Sequence, residues 1–255
     1  MSEPREHQIS TADGSIPGLL WLPEGMTTDG PEGGVPGLVV FQEIFGLSEF
    51  VRARCADLAA LGYAVLAPAV YARLVDEGEE PPVVEPTQEN FLGTAMELVG
   101  QVDWEQAVRD GLAARDSLAA LEGVDASQVG LVGFCFGGGL AFNVAAAAGQ
   151  GSAPVAALVS YYGSALPSLL GLAEHVDCPS LHHFGTSDSY IPMEQVEQIR
   201  EAVTAGGSRE QVRFELHDGA DHAFDNPSPM FHHEQASERA WEQTTSFLSE
   251  TLPVR

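Results

Sequence analysis

Lysine is absent from this 255-residue chain: all 11 basic residues are arginine, set against 37 aspartates and glutamates, for a formal net charge of −26. Such a surface repels polyanions, so neither nucleic acid nor an anionic membrane is expected as a partner. Cysteine is scarce too. Cys55, Cys135 and Cys178 lie far apart with no C-x-x-C spacing, which argues against a disulfide framework or a zinc ribbon and for a reducing cytoplasm. No apolar run approaches 18 residues, and Met1–Gln8 shows no basic stretch leading into an apolar one. Neither a membrane span nor a secretory signal is expected, and the expected location is cytoplasmic. The acids are spread over polar faces rather than gathered in one tail. That pattern reads either as an ordinary solvated surface or, more sharply, as adaptation to high salt, where screening relieves self-repulsion; a GC-rich genome would also deplete lysine.

What is present is enough for one sizeable α/β domain spanning residues 1–255, with 44% hydrophobic residues. Gln8–Leu22 alternates as an early hairpin turning at Asp13-Gly14. Thr27–Pro36 is rich in Gly, Pro and acid and reads as a surface loop. Gly37–Phe41 and Ala64–Ala67 are short continuous apolar runs, as expected for strands buried on both faces. Ser48 is placed to cap a helix that runs to Leu61 and stops at Gly62. Tyr71–Pro86, acidic and proline-rich, reads as a long loop or lid. Further strands are expected before Cys135 and at Val155–Tyr161, Ser180–Phe184 and Val212–Leu216. Helices are expected at Asp103–Leu121, after Cys135, at Met193–Ala205 and at Glu234–Glu250. Strands alternating with helices predict a three-layer α/β fold, a mostly parallel central sheet flanked by helices.

The organising stretch is Val129–Leu140: an apolar strand ending in Gly133-Phe-Cys-Phe-Gly137, then a helix of small residues. This is the shape of the G-x-S-x-G nucleophile elbow with cysteine at its apex. Cys135 then stands over the sheet edge at the N-terminus of the helix beginning at Phe136, where backbone N–H groups favour a thiolate and a developing oxyanion. By itself the five-residue pattern is weak, since glycine after a buried strand is common and free cysteine is usually a small buried hydrophobe.

Sites in such sheets lie at the carboxyl ends of strands. There the later loops carry Gly185-Thr-Ser-Asp188 and Gly219-Ala-Asp-His222, which complete the order nucleophile, acid, base. His222 would take the thiol proton or hold it as an ion pair, and Asp188 would orient its ring. Asp218 and Asp221 compete with Asp188 for that role; Asp188 is preferred because its loop faces the histidine. His182-His183 alternate along a strand and so point to opposite faces rather than chelating one ion, and adjacent His232-His233 do not converge either. No metal site and no cofactor are expected. Cys55 and Cys178 read as buried or structural.

Gln42-Glu-Ile-Phe-Gly46, Pro68-Ala-Val-Tyr-Ala-Arg73, the Cys135 elbow, Gly185–Asp188 and Gly219–Phe224 together resemble the dienelactone hydrolases (carboxymethylenebutenolidases) of the α/β-hydrolase superfamily, collinearly over roughly Gly14–Leu248. The resemblance implies the same triad of Cys135, His222 and Asp188. It further implies Glu43 as the glutamate that controls thiol ionisation, the N–H groups of Ile44 and Phe136 as oxyanion hole, and Arg73 as receiver of a substrate carboxylate. Phe45, Tyr71 and Asn226 are implied as further substrate-binding positions. Where family members acting on dienelactone carry a second arginine after the histidine, this chain has Asp225-Asn226, which weakens the case for a carboxylate-bearing lactone.

The expected activity is hydrolysis of a lactone or small carboxylic ester through an acyl-enzyme, by a monomer or small homo-oligomer with only a small-molecule substrate as partner. The alternatives are a general carboxylesterase or thioesterase, a non-catalytic binding module of the same fold, or a redox-sensing thiol at Cys135.

Overall fold

The computed structural model describes residues 3–26, 34–76, 78–87, 89–151 and 153–254. The backbone groups into two compact units, one running to Gly130 and including Val254, the other from Leu131 to Pro253.

In the first unit the expected hairpin forms. β1 (Arg5–Thr11) pairs antiparallel with β2 (Gly14–Trp21), and Thr11 faces Gly14 across the turn. β2 pairs antiparallel with β4 (Ala64–Pro68), which in turn runs parallel to β3 (Val35–Phe41). Every residue of β3 and β4 is buried, as their unbroken apolar runs demand. β3 starts two residues earlier than the sequence suggests, taking in Val35 and Pro36; positions 27–33 of the expected surface loop lie outside the described residues.

Helix α1 (Glu49–Ala60) packs on β2 and β4 and ends at Gly62, whose φ of +103° suits only glycine. Ser48 does occupy its N-cap, but the hydroxyl makes no capping bond and is buried. The backbone N–H of Glu49 is instead taken by the side chain of Glu85 at 3.0 Å.

The stretch expected as an open loop from Tyr71 begins with a 3-10 turn, Val70–Leu74. It leads to a helix the sequence does not announce, α2 (Phe91–Val99). This helix starts from Asn90 in the left-handed conformation without a side-chain cap, and Phe91 and Ala95 are its buried residues. At Gly93 a Cβ would fall 2.7 Å from the end of the Asn90 side chain, which would have to move to make room. One short stripe and a glycine in the first turn leave no helical signature in the sequence. Helix α3 (Trp104–Ala119) is properly capped, Asp103 accepting the N–H of Gln106 at 3.0 Å, and it packs on β1, β3 and β4.

β5 (Val124–Phe134) carries the chain into the second unit, where β5, β6 (Leu158–Tyr161), β7 (Ser180–Gly185) and β8 (Val212–His217) are parallel in that order. Helix α4 (Phe136–Gln150) covers β6, α5 (Met193–Thr204) packs on β8, and α6 (Glu234–Thr251) packs on β7 and β8. The eight strands among the described residues are thus mostly parallel and alternate with helices, the α/β class that the sequence predicts. Among the described residues no helix is long and apolar enough to cross a membrane.

Candidate active site

β5 ends at Phe134 and α4 begins at Phe136, so one residue, Cys135, makes the whole turn from strand to helix. It does so at φ 54°, ψ −117°, a conformation that costs a non-glycine residue about 1–3 kcal/mol and persists only where its surroundings over-determine it. Those surroundings are hydrogen bonds. The Cys135 N–H donates to Tyr161 O at 3.0 Å, while its carbonyl accepts from Gly138 and Ser164, each at 3.0 Å. The flanking glycine is obligatory, because a Cβ on Gly133 would lie 2.0 Å from Gly137 O. Gly138 likewise admits no side chain: a Cβ would fall 2.9 Å from both Gly163 Cα and Tyr161 O. Close packing of backbone, rather than any side-chain contact, therefore aims the thiol.

The loops after β7 and β8 bring up the other two predicted residues. His222 Nε2 lies 3.1 Å from Cys135 Sγ, and His222 Nδ1 lies 2.8 Å from Asp188 Oδ2. Asp188 is buried and its second oxygen accepts the N–H groups of Tyr190 and Ile191, both at 2.8 Å, so the carboxylate is fixed before it meets the ring. Burial pulls the His222 pKa down, but the Cys135 charge and the bonds to Asp188 and Cys135 outweigh it and raise the value to about 10. The competing acids have other tasks. Asp221 accepts the N–H of His222 itself at 2.7 Å, and Asp218 accepts the hydroxyl of Thr186. The imidazole is walled by aromatic rings, with Tyr162 centred 5.3 Å away and Tyr190 5.1 Å away. Tyr162 and Ala223 also hold positive φ, 37° and 58°, so strained non-glycine backbone gathers around this one histidine.

Beneath it runs a buried polar chain that the sequence did not suggest. Tyr161 OH lies 2.7 Å from Thr244 Oγ1, which lies 3.0 Å from His183 Nε2, whose Nδ1 lies 3.1 Å from His217 Nε2. His182 points the other way, against Phe142 and Phe214, and bonds Ser180. The two histidines thus take opposite faces, as alternation along a strand requires. Burial pushes the His182 and His217 pKa values down to about 4, helped at His217 by the charges of Arg239 and His233. Asn226 is buried, and its side-chain oxygen accepts the N–H of Ser228 at 3.0 Å; it builds a turn.

The remaining predicted residues belong to the first unit. Glu43 is fully buried after β3, in a turn closed by Gly46 N–H on Glu43 O at 3.4 Å. Gly46 holds φ +79°, and a Cβ there would fall 2.6 Å from Pro82 O. The Ile44 carbonyl accepts the hydroxyl of Tyr71 at 2.6 Å; Tyr71 is buried, and so is Phe45, which packs against Phe91. Arg73 is held between two carboxylates. Its Nε and Nη2 donate to the two oxygens of Asp110 at 2.6 and 2.8 Å, and its Nη2 and Nη1 to the two oxygens of Asp13 at 2.8 and 3.1 Å. The bond to Asp110 leads in raising the Arg73 pKa above its usual value. Asp110 is buried and also accepts Gln106 Nε2 at 2.9 Å. A groove of about 840 Å³ along β1 and α3 of this unit, with Asp13 and Asp110 in its wall, contains none of the predicted site residues.

Among the described residues no three His, Cys, Asp or Glu side chains are placed to hold a metal. All three cysteines are unbridged and buried, and burial raises the thiol pKa of Cys55 and pushes that of Cys178 up to about 12. Cys135 alone has a histidine at hand.

A mostly parallel sheet whose strand-to-helix turn carries a strained cysteine, with an aspartate and a histidine on later loops, has the arrangement of an α/β-hydrolase. The chain belongs to the dienelactone hydrolase family, whose sequence model matches residues 25–252. The carboxymethylenebutenolidase of Pseudomonas putida is 32% identical over 215 residues, 84% of this chain and 85% of that protein. Among solved structures, a dienelactone hydrolase-like promiscuous phosphotriesterase from metagenomic libraries is 26% identical, with a TM-score of 0.78 over 98% of each chain. Esterase 2 of Thermogutta terrifontis, 17% identical with a TM-score of 0.67 over 98% of this chain and 95% of its own, shares the fold. The protein is a carboxylic ester hydrolase of this family.

Proposed function

We propose that the protein hydrolyses a lactone or small carboxylic ester through a Cys135–His222–Asp188 triad and a covalent acyl-enzyme. The observation that carries this reading is the continuous line from Sγ through both ring nitrogens to the buried carboxylate, at 3.1 and 2.8 Å. His222 accepts the thiol proton, and Asp188 holds the ring so that Nε2 faces sulfur. Sγ attacks the carbonyl carbon; the C–S bond forms as the carbonyl π pair moves to oxygen. The Phe136 N–H, first in α4 and at the positive end of the helix, offers that oxygen a donor. Collapse expels the alkoxide, which takes the proton from Nε2; from a lactone it stays tethered to the acyl group. Water, losing its proton to His222, then cleaves the thioester and restores the thiol.

Following the family resemblance, Glu43 acts on the ionisation of the thiol, so Glu43→Gln should shift the acid limb of the kcat/KM profile while leaving the fold intact. The central test is steady-state hydrolysis of a dienelactone and of p-nitrophenyl acetate, with mass spectrometry of quenched enzyme. The expected result is a thioester on Cys135 and a loss of kcat on the order of 10⁴-fold in Cys135→Ala. Turnover that survives Cys135→Ala would sink the reading.

A further inference from the structure

We propose that Tyr190 sets specificity: its ring is the surface against which the alcohol half of the ester lies, and it favours a flat, apolar leaving group such as benzyl. The inference rests on the triad reading above and gives that site a substrate preference. Two tyrosine rings adjoin the imidazole of His222, Tyr162 centred 5.3 Å away and Tyr190 5.1 Å away. They are not equivalent. Tyr162 is wholly buried, whereas Tyr190 is 58% exposed, so a substrate arriving from solvent meets Tyr190.

The backbone under this ring is fixed. The N–H of Ser189 donates to Asp221 Oδ1, and those of Tyr190 and Ile191 donate to Asp188 Oδ1, each at 2.8 Å. The carboxylate that bonds the imidazole therefore also holds the residue that walls it. An aromatic side chain carried on backbone held in this way loses little freedom when a ligand covers it, which makes it an efficient contact surface. A lone exposed aromatic residue needs no explanation; one set against the base by the base's own carboxylate partner does.

The chemistry says which half of the substrate lies there. As the C–O bond breaks, its electron pair stays on the alcohol oxygen, which takes the proton from His222 Nε2 and so sits about 3 Å from it. The acyl half remains bonded to Sγ. What the alcohol oxygen carries is thus the part of the substrate nearest the imidazole, where Tyr190 is the exposed ring. A phenyl group placed there meets the tyrosine offset-stacked or edge to face, a contact that supports a preference on the order of tenfold.

The test measures kcat/KM for ethyl, cyclohexylmethyl and benzyl butyrate, whose alcohols are of similar acidity, and for ethyl phenylacetate, which carries its ring on the acyl half. Wild type, Tyr190→Phe, Tyr190→Ala and Cys135→Ala are compared. Wild type should prefer the benzyl ester to the ethyl and cyclohexylmethyl esters by about tenfold. The benzyl-to-ethyl ratio should fall about tenfold in Tyr190→Ala and be kept in Tyr190→Phe, because the ring and not the hydroxyl makes the contact. The ratio of ethyl phenylacetate to ethyl butyrate should not follow it. If Tyr190→Ala slowed all four esters alike, the ring would only prop the Asp188 loop and the assignment would be overturned. A change confined to ethyl phenylacetate would move the contact to the acyl half and overturn it equally. In both cases turnover lost in Cys135→Ala leaves the triad standing. If no ester showed turnover dependent on Cys135, the triad reading would fall and the role of Tyr190 with it.

Discussion

Asp221 reaches across two loops to Ser189, accepting its backbone N–H at 2.8 Å and its hydroxyl at 3.2 Å on one oxygen. The same oxygen accepts the N–H of His222 at 2.7 Å. The loop that carries Asp188 and the loop that carries His222 are therefore pinned to each other one residue away from the pair that matters. Removing the pin, in Asp221→Ala, frees both loops to drift, and a displacement near 1 Å costs on the order of 10²-fold in rate. The expected outcome is a kcat lower by about 10- to 100-fold with KM little changed. Asp221→Asn keeps an acceptor oxygen and should recover most of it. Stopped-flow or steady-state kinetics on a neutral ester would show the split; a uniform rise in KM would contradict a positioning role.

The elbow gives a sharper expectation. Gly133→Ala places a methyl group 2.0 Å from Gly137 O, a backbone atom that cannot step aside without moving the start of α4. The loss should be about 3 kcal/mol or more, enough to lower Tm well beyond a surface substitution, and the surviving folded protein should be inactive because the thiol is re-aimed. Thermal unfolding beside an activity assay checks both halves; a Tm within a degree of wild type would refute it.

Stability should peak between two titrations of opposite sense. His182 and His217 are held neutral, with pKa values lowered to about 4 from 6.5. Unfolding lets them protonate, so stability kept above pH 6.5 is lost as pH falls through about 4. His222 is raised to about 10, so its contribution is fully present below pH 6.5 and is lost as pH rises through about 10. Urea unfolding from pH 4 to 10.5 should therefore trace a dome. His182→Phe, which fits between Phe142 and Phe214, should flatten the acid limb, and His222→Gln the alkaline one. An unaltered acid limb in the first variant would assign the acid sensitivity to the carboxylates instead.

The net charge of −26 carries its own test. Self-repulsion at that charge weakens the compact state, and molar salt reduces the Debye length to about 3 Å. We expect Tm to rise between dilute buffer and 2 M KCl by more than it does for a protein near neutrality. A flat response would leave the acidity as an ordinary solvated surface.

Much of this protein was legible in its sequence wherever the physics is local. An apolar run of strand length, then a cysteine between glycines at a turn that admits no Cβ, specify the elbow. The order Cys135, Asp188, His222 follows from loops at successive strand ends. Helix α2 escaped because its buried stripe is a single pair, Phe91 and Ala95, too short to register as a period. Ser48 kept its position but not its bond, since Glu85 reaches the same helix end, bonding the N–H of Glu49, 36 residues before it. What the sequence alone determined, then, is backbone: where strands and helices run and which turn must be strained. Only the tertiary structure decided among side chains. Asp221 goes to the backbone of Ser189 and His222, His183 and His217 join a buried chain with Thr244, and Arg73 answers to Asp13 and Asp110, 60 and 37 residues away. The reason is range. A backbone conformation is paid for by its immediate neighbours in the chain, whereas a charge chooses the nearest opposite charge in space, and proximity of that kind has no period in the sequence.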